Sequence, residues 1–262
     1  AALRARMTPV VPSQPGWKIT PEDLERAGAG RAKALILNTP SNPSGAVYTR
    51  SELEALADYF RMTSFFILTD EIYEDLVYTD AGHVPLMTVA PDLRHRIVTV
   101  SGLSKSYAMT GWRVGFGIAD RSTIGAMNRL QSHSTSNVNT VAQKASLAAF
   151  GCGAKVAEMA RAFRLRRDVL VESLSGIDGV SFTVPDGAFY LLADVRGLID
   201  PDRGSGGDWR LAEHLLAAQK LATVPGEPFG VPGHLRLSYA IHEDTLREAA
   251  ERFRAGVATF GG

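Results

Sequence analysis

Apolar residues along the chain follow two kinds of pattern. Short continuous runs occupy residues 33–38 and 65–70, as expected for β-strands buried on both faces of a sheet, and further strands are predicted at 96–100 and 114–119. Stretches with helical spacing alternate with these runs. The helices predicted in this part cover residues 21–28, 50–61, 121–133 and 140–150. Because alternating strands and helices are typical of parallel sheets, we predict an α/β fold with a mostly parallel sheet flanked by helices.

The pattern changes in the second half of the chain. A long, charged, amphipathic helix at about 154–175 is a candidate for the link between two domains. Beyond it, short apolar strands mix with helices, which predicts a smaller α+β domain. The predicted strands cover residues 180–184, 189–195, 221–224 and 235–239, and the predicted helices cover 208–220 and 243–259. We therefore expect two domains, 1–160 and 161–262, and a flexible surface loop at 203–208.

Composition limits the classes of function. The 262 residues include 28 Lys and Arg against 28 Asp and Glu, a balance that favours neither a nucleic-acid partner nor a membrane surface. No apolar run approaches the roughly 20 residues that a membrane span needs. The single cysteine excludes an intrachain disulfide, and the six histidines show no metal-ligand spacing. We expect no metal and, since no secretory signal is visible, a cytoplasmic location.

One lysine lies in a setting that suits a reactive group. Lys105 follows the third predicted strand, among small and hydroxylic residues. A lysine at a strand end can form a Schiff base with a carbonyl compound when its surroundings favour the neutral amine. The hydroxyls of Ser101 and Ser104 and the guanidinium of Arg113 are suited to binding a phosphate. Taken alone, the stretch is better explained as a surface loop with a solvated lysine.

Polar residues elsewhere complete a set that suits one cofactor, pyridoxal phosphate. Asp70 ends the second strand, and a carboxylate there can keep the pyridine nitrogen protonated. Asn42 and Tyr73 offer hydrogen bonds to the phenolic oxygen. Arg236 offers a guanidinium for the α-carboxylate of an amino acid. Singly, these four residues have ordinary explanations as a strand-end cap, a turn residue, a core aromatic and a solvent-facing arginine.

Together these motifs resemble those of the fold-type-I, class-I pyridoxal-phosphate-dependent aminotransferases. Residues 102–115 (GLSKSYAMTGWRVG) resemble the lysine-attachment signature of that family throughout. The other matching blocks follow in the family's order at 38–45 (NTPSNPSG), 70–73 (DEIY), 185–190 (PDGAFY), 224–230 (VPGEPFG) and 235–238 (LRLS). Residues 131–136, with Gln143 further on, are similar to the bacterial aspartate-aminotransferase branch.

The resemblance implies a role for each candidate residue. Lys105 holds the cofactor through a Schiff base and moves a proton during catalysis, while Asp70 pairs with the pyridine nitrogen. Tyr73 and Asn42 donate hydrogen bonds to the phenolic oxygen. Asn42 also helps Arg236 to bind the substrate carboxylate. The implied phosphate ligands are Ser101, Ser104 and Arg113.

The resemblance also implies a reaction and an assembly. The reaction is amino transfer between an L-amino acid, with an aspartate-like one favoured, and a 2-oxo acid, and the assembly is a homodimer. Members of the family carry a longer N-terminal region than these residues do, so we expect weak cofactor binding and little activity from this chain alone. Two alternatives stay open, a pyridoxal-phosphate-dependent lyase of the same fold and a non-enzymatic, aminotransferase-like sensor domain of a transcription regulator.

Overall fold

A computed structural model of the protein describes residues 6–200 and 206–261, which form two compact units. The first unit consists of the described residues of Ala1–Thr39, with Tyr48–Glu74 and His83–Gly151. The second unit consists of Pro40–Val47, Asp75–Gly82 and the described residues of Cys152–Gly262. Each unit is therefore assembled from segments that are not contiguous in the sequence. The predicted division into 1–160 and 161–262 falls inside a helix and stays a prediction.

The first unit is built on a four-stranded sheet in the order β1-β2-β3-β4. The strands are β1 Ala34–Asn38, β2 Phe66–Asp70, β3 Ile97–Gly102 and β4 Gly115–Ile118. The helices are α1 Pro21–Arg26, α2 Arg50–Arg61, α3 Leu86–Val89, α4 Arg121–Ser132 and α5 Thr140–Ala149. Strands β1, β2 and β3 are parallel, and β4 is antiparallel to β3. The predicted α/β architecture with a mostly parallel sheet is confirmed.

The second unit contains a separate four-stranded sheet in the order β5-β6-β8-β7, with every pair antiparallel. Its strands are β5 Ser181–Phe182, β6 Tyr190–Asp194, β7 Val224–Pro225 and β8 His234–Ser238, and its helices are α6 Gly153–Leu174, α7 Gly207–Gln219 and α8 Glu243–Thr259. Helix α8 packs against both α6 and α7. Residues 203–205 of the predicted loop lie outside the described residues. Across the described ranges, no helix is long and apolar enough to cross a membrane.

Local sequence explains where helix α2 begins. The Thr49 hydroxyl accepts a hydrogen bond from the Glu52 backbone N–H, and the Glu52 carboxylate accepts one from the Thr49 N–H. This reciprocal pair satisfies two backbone donors that a helix start otherwise leaves unpaired. Helix α2 then buries Leu53, Leu56 and Phe60, spaced three and four residues apart, in one apolar core with the inner face of the sheet. That packing fixes the sheet whose strand ends carry the candidate site.

The expectation that the first two strands are buried on both faces is wrong for the described chain. Leu35 and Ile67 lie in the core, at 9% and 0% exposure. Their neighbours Ile36 and Phe66 are 60% and 49% exposed on the other face. Side chains alternate between the two faces of a strand, so one face is covered and the other is open. A continuous apolar run in the sequence cannot distinguish these two arrangements.

The open apolar sheet face predicts association of the 262-residue chain when it is produced by itself. We expect size-exclusion chromatography at increasing concentration to show a growing fraction of species larger than the monomer. Replacing Ile36 and Phe66 together by lysine should reduce that fraction by roughly half or more, because a charge is costly to bury in an apolar contact. The matched control is Met62→Lys, at a 74% exposed position that follows α2. A monomer at every concentration contradicts the prediction.

Candidate active site

Parallel pairing brings the polar strand ends of the first unit side by side. In the sheet register Asn38 lies opposite Asp70, and Asp70 lies opposite Val100. The Asn38 side-chain amide donates a hydrogen bond of 2.9 Å to the Asp70 backbone oxygen. Strand β3 continues past Val100 into the loop that carries Lys105. The structure therefore places Asp70 beside the strand end that leads to the lysine.

Backbone hydrogen bonds shape the loop around Lys105. The Lys105 backbone oxygen accepts a bond of 3.1 Å from the Ala108 N–H, and the Leu103 oxygen accepts one of 3.2 Å from the Met109 N–H. The Thr110 hydroxyl donates to the Ser104 backbone oxygen at 2.9 Å. Because several bonds close this turn, the base of the lysine side chain is held by the backbone.

The start of the lysine loop has no space for a side chain at Gly102. A Cβ atom there would lie 2.8 Å from the Val114 backbone oxygen and 3.0 Å from the Gly115 Cα. Glycine thus allows β3 and β4 to approach closely at this point. Ala108 and Arg113, on the far side of Lys105, adopt left-handed backbone conformations with φ of 52° and 56°. Such conformations are uncommon outside glycine and often occur at functional sites.

Two predicted site residues, Tyr73 and Asp70, interact with Lys105. The Lys105 Nζ lies 5.9 Å from the centre of the Tyr73 ring, and Tyr73 is buried. Burial raises the pKa of the Asp70 carboxyl above its usual range, and the neighbouring Glu71 adds to that rise. The Ile72 backbone N–H, which donates to Asp70, and the charge of Lys105 oppose it. Asp70 is therefore a half-buried carboxylate whose ionised form is disfavoured until a further cation or donor approaches.

The three predicted phosphate ligands lie in different surroundings. Ser101 is buried, and its hydroxyl donates to the Glu74 carboxylate at 2.5 Å. Ser104 is half-buried. Arg113 is exposed, donates to the Thr110 backbone oxygen at 2.7 Å, and lines an open cavity of about 860 Å³. Of the three side chains, Arg113 has the freest access to solvent, whereas the Ser101 hydroxyl is already engaged within the protein. Their roles toward a phosphate stay predictions.

Sequence reasoning missed a polar cluster formed by the buried Glu71 and the half-buried Glu74 and His83. The His83 Nε2 lies 2.8 Å from the Glu71 Oε2, and Ser101 joins the group through Glu74. Ligand atoms of the three residues lie within 4.8 Å of one another. The cluster ties the turn that carries Tyr73 to the end of β3. Chain spacing alone gave no signal for it, because His83 is distant in sequence from its partners.

The remaining predicted residues meet in the second unit. Arg236 of β8 donates a hydrogen bond of 3.1 Å from its Nη1 to the Asn42 Oδ1, across 194 positions of sequence. Two aromatic rings also contact the guanidinium, with the Arg236 Cζ 4.6 Å from the Tyr190 ring centre and 5.0 Å from that of Phe229. The predicted pair of Asn42 and Arg236 is thus formed, whereas the aromatic contacts were not predicted.

The raised pKa of Asp70 predicts a pH-dependent effect of Asp70→Asn on stability. A carboxyl whose pKa is higher in the folded state contributes stability below its unfolded pKa, and that contribution is lost as pH rises through the folded value. Asparagine does not ionise, so Asp70→Asn removes this loss of stability. The variant should have a higher melting temperature than the parent chain at pH 7, and the difference should shrink toward about pH 4. Melting curves from pH 4 to 8 test this, with the exposed Asp80→Asn as the matched control. A variant that is less stable at pH 7 contradicts the prediction.

A family profile, a curated relative and a solved structure each match most of this chain. A family profile described as aminotransferase class I and II matches residues 2–253. The aspartate aminotransferase of Streptomyces avermitilis is 44% identical over 243 residues, which are 91% of this chain and 60% of that protein. The solved aspartate aminotransferase of Rhizobium meliloti superposes with a TM-score of 0.85 at 37% identity, covering 93% of this chain and 62% of that one.

A solved aromatic aminotransferase from Pyrococcus horikoshii also superposes, with a TM-score of 0.83 at 30% identity, covering 94% of this chain and 65% of that one. The chain spans about 60% of the length of the curated relatives that it matches. The motif blocks, the fold and the profile match agree over nearly the whole of this chain. The chain belongs to the family of class I and II aminotransferases.

Proposed function

We propose that the complete protein is a pyridoxal-phosphate-dependent aminotransferase that moves an amino group between an L-amino acid and a 2-oxo acid. The observation that carries the proposal is the position of Lys105, held at a strand end with Asp70 beside that end and the Tyr73 ring 5.9 Å from its amine. The proposal concerns the complete protein because this chain spans about 60% of the length of its relatives. The family assignment supports it.

The side chains of the first unit fit the chemistry of pyridoxal phosphate. An amine, a half-buried carboxylate and a phenol lie around one loop, in Lys105, Asp70 and Tyr73. The hydroxyl of Ser106, next to Lys105, is buried and makes no hydrogen bond with the described residues, so this loop has unused donor capacity. When bound, the cofactor supplies an electron sink for the negative charge that develops at the substrate Cα.

Each residue would contribute a separate physical task. The Lys105 Nζ would hold the cofactor through its carbonyl carbon, and the Lys105 amine would be the group that accepts a proton from the substrate Cα. The Asp70 carboxylate would hold a proton on the pyridine nitrogen, and that positive charge would offset the cost of burying the ionised carboxylate. Tyr73 and Asn42 would donate hydrogen bonds to the phenolic oxygen. Arg236 would bind the α-carboxylate through its planar fork of N–H groups.

Aspartate is the first substrate to test. The Streptomyces avermitilis relative is named as an aspartate aminotransferase, and so is the Rhizobium meliloti structure. The Pyrococcus horikoshii structure is named as an aromatic aminotransferase, so aromatic amino acids belong in the same screen. We also propose that the complete protein acts as a homodimer, in line with the family resemblance, and that it is located in the cytoplasm.

Replacement of Lys105 by alanine in the complete protein tests the proposal. Because no other group of the loop can replace a nucleophilic amine, the rate of 2-oxo acid formation from aspartate and 2-oxoglutarate should fall by about 1,000-fold or more. The matched control is Lys144→Ala, which removes an exposed lysine of α5 and should keep the parent rate.

Two results of that experiment would contradict the proposal. One is full turnover in the Lys105→Ala protein. The other is release of ammonia by the parent protein, without amino transfer to the 2-oxo acid, which would indicate a lyase. Following both products in the same reaction separates these outcomes.

A further inference from the structure

The guanidinium of Arg236 is held by its neighbours without being neutralised by any of them. No carboxylate of the described residues forms an ion pair with it. Its Nε is buried and has no hydrogen-bond partner among those residues, while its Nη1 donates to the neutral amide of Asn42. A half-buried cation in this state gains more than a solvated one when an anion arrives, because part of its hydration is already lost.

Two aromatic side chains also contact the Arg236 guanidinium. The Arg236 Cζ lies 4.6 Å from the centre of the Tyr190 ring and 5.0 Å from that of the Phe229 ring, within the range of cation–π contacts. Tyr190 begins β6, two residues before Leu192, which lies opposite Arg236 in the antiparallel register. It is therefore a diagonal cross-strand neighbour on the same face of the sheet.

Phe229 is presented by a turn that only glycine permits. The Gly226 backbone oxygen accepts hydrogen bonds from the N–H groups of Phe229, at 2.9 Å, and of Val231, at 3.1 Å. A Cβ on Gly226 would lie 2.2 Å from the Val231 backbone oxygen, so no larger residue fits without a shift. The backbone of this turn thus holds the Phe229 ring against the guanidinium.

We propose that Tyr190 and Phe229 are positioning residues that fix the plane of the Arg236 guanidinium and thereby set the affinity of the protein for carboxylate ligands. The inference rests on the proposed role of Arg236 as the substrate-carboxylate anchor. A free arginine side chain samples many rotamers, and two rings together with Asn42 remove most of that freedom before a ligand binds. The planar fork then meets a carboxylate in the geometry that two parallel hydrogen bonds require. A lysine at position 236 would gain none of this plane-specific positioning.

The test uses the complete, cofactor-loaded protein and the unreactive dicarboxylate succinate. Tyr190→Leu and Phe229→Leu should each weaken succinate binding in calorimetry by about tenfold, and should raise KM for the amino acid by more than they lower kcat. Tyr190→Phe and Phe229→Tyr keep a ring at each position and should restore most of the affinity. Phe229 is half-buried, so its leucine variant keeps the test available even if Tyr190→Leu, at a buried position, fails to fold.

A double-mutant cycle separates action through Arg236 from a general loss of structure. In an Arg236→Lys background, Phe229→Leu should cause less than about a twofold further loss of succinate affinity. If Arg236→Lys itself leaves succinate affinity and KM unchanged, the proposed role of Arg236 is wrong. If Arg236→Lys weakens binding but both leucine variants bind like the parent protein, the proposed function stands and the positioning inference is overturned. Equal losses from Phe229→Leu in both backgrounds would also overturn it.

Discussion

The parallel register of β1, β2 and β3 is the constraint on which the lysine site depends. It sets Asn38 beside Asp70 and Asp70 beside Val100, so three chain segments reach the same edge of the sheet together. The lysine loop starts from that edge, closed by its own backbone hydrogen bonds. A slip of one residue in β2 would turn Asp70 to the opposite face of the sheet. The capping of α2 and its apolar contacts with the inner sheet face matter because they hold this register.

The two groups of candidate residues share an electrostatic feature. Burial disfavours the ionised form of Asp70, and Arg236 keeps a charge that no carboxylate of the described residues pairs with. Each arrangement costs stability in the protein without ligands, and each would be relieved by a partner of opposite charge. Perturbed groups of this kind are typical of functional sites, where stability is exchanged for binding. A cation would thus stabilise the Asp70 carboxylate of the first unit, and an anion would stabilise the Arg236 guanidinium of the second.

The sequence predicted those features that local pattern determines. The starts of helices α1 and α2 were found, and so were the strand ends at Asp70 and before Lys105. Features that depend on distant contacts were missed. The His83 contact with Glu71, and the two rings on Arg236, join residues whose proximity no periodicity reports. The exposed outer face of β1 and β2 was missed because a continuous apolar run looks the same with one covered face or two.

The central claim is that Lys105 is the residue to which the cofactor attaches, and its most direct test is chemical rather than kinetic. The complete protein is incubated with pyridoxal phosphate, reduced with borohydride, digested, and mapped by mass spectrometry. Reduction makes a lysine–cofactor bond permanent, so the added mass marks the attachment site. The account predicts the cofactor mass on the peptide that contains Lys105, and its absence from that peptide in a Lys105→Ala control. Attachment to a different lysine in the parent protein, or to none, would contradict the account.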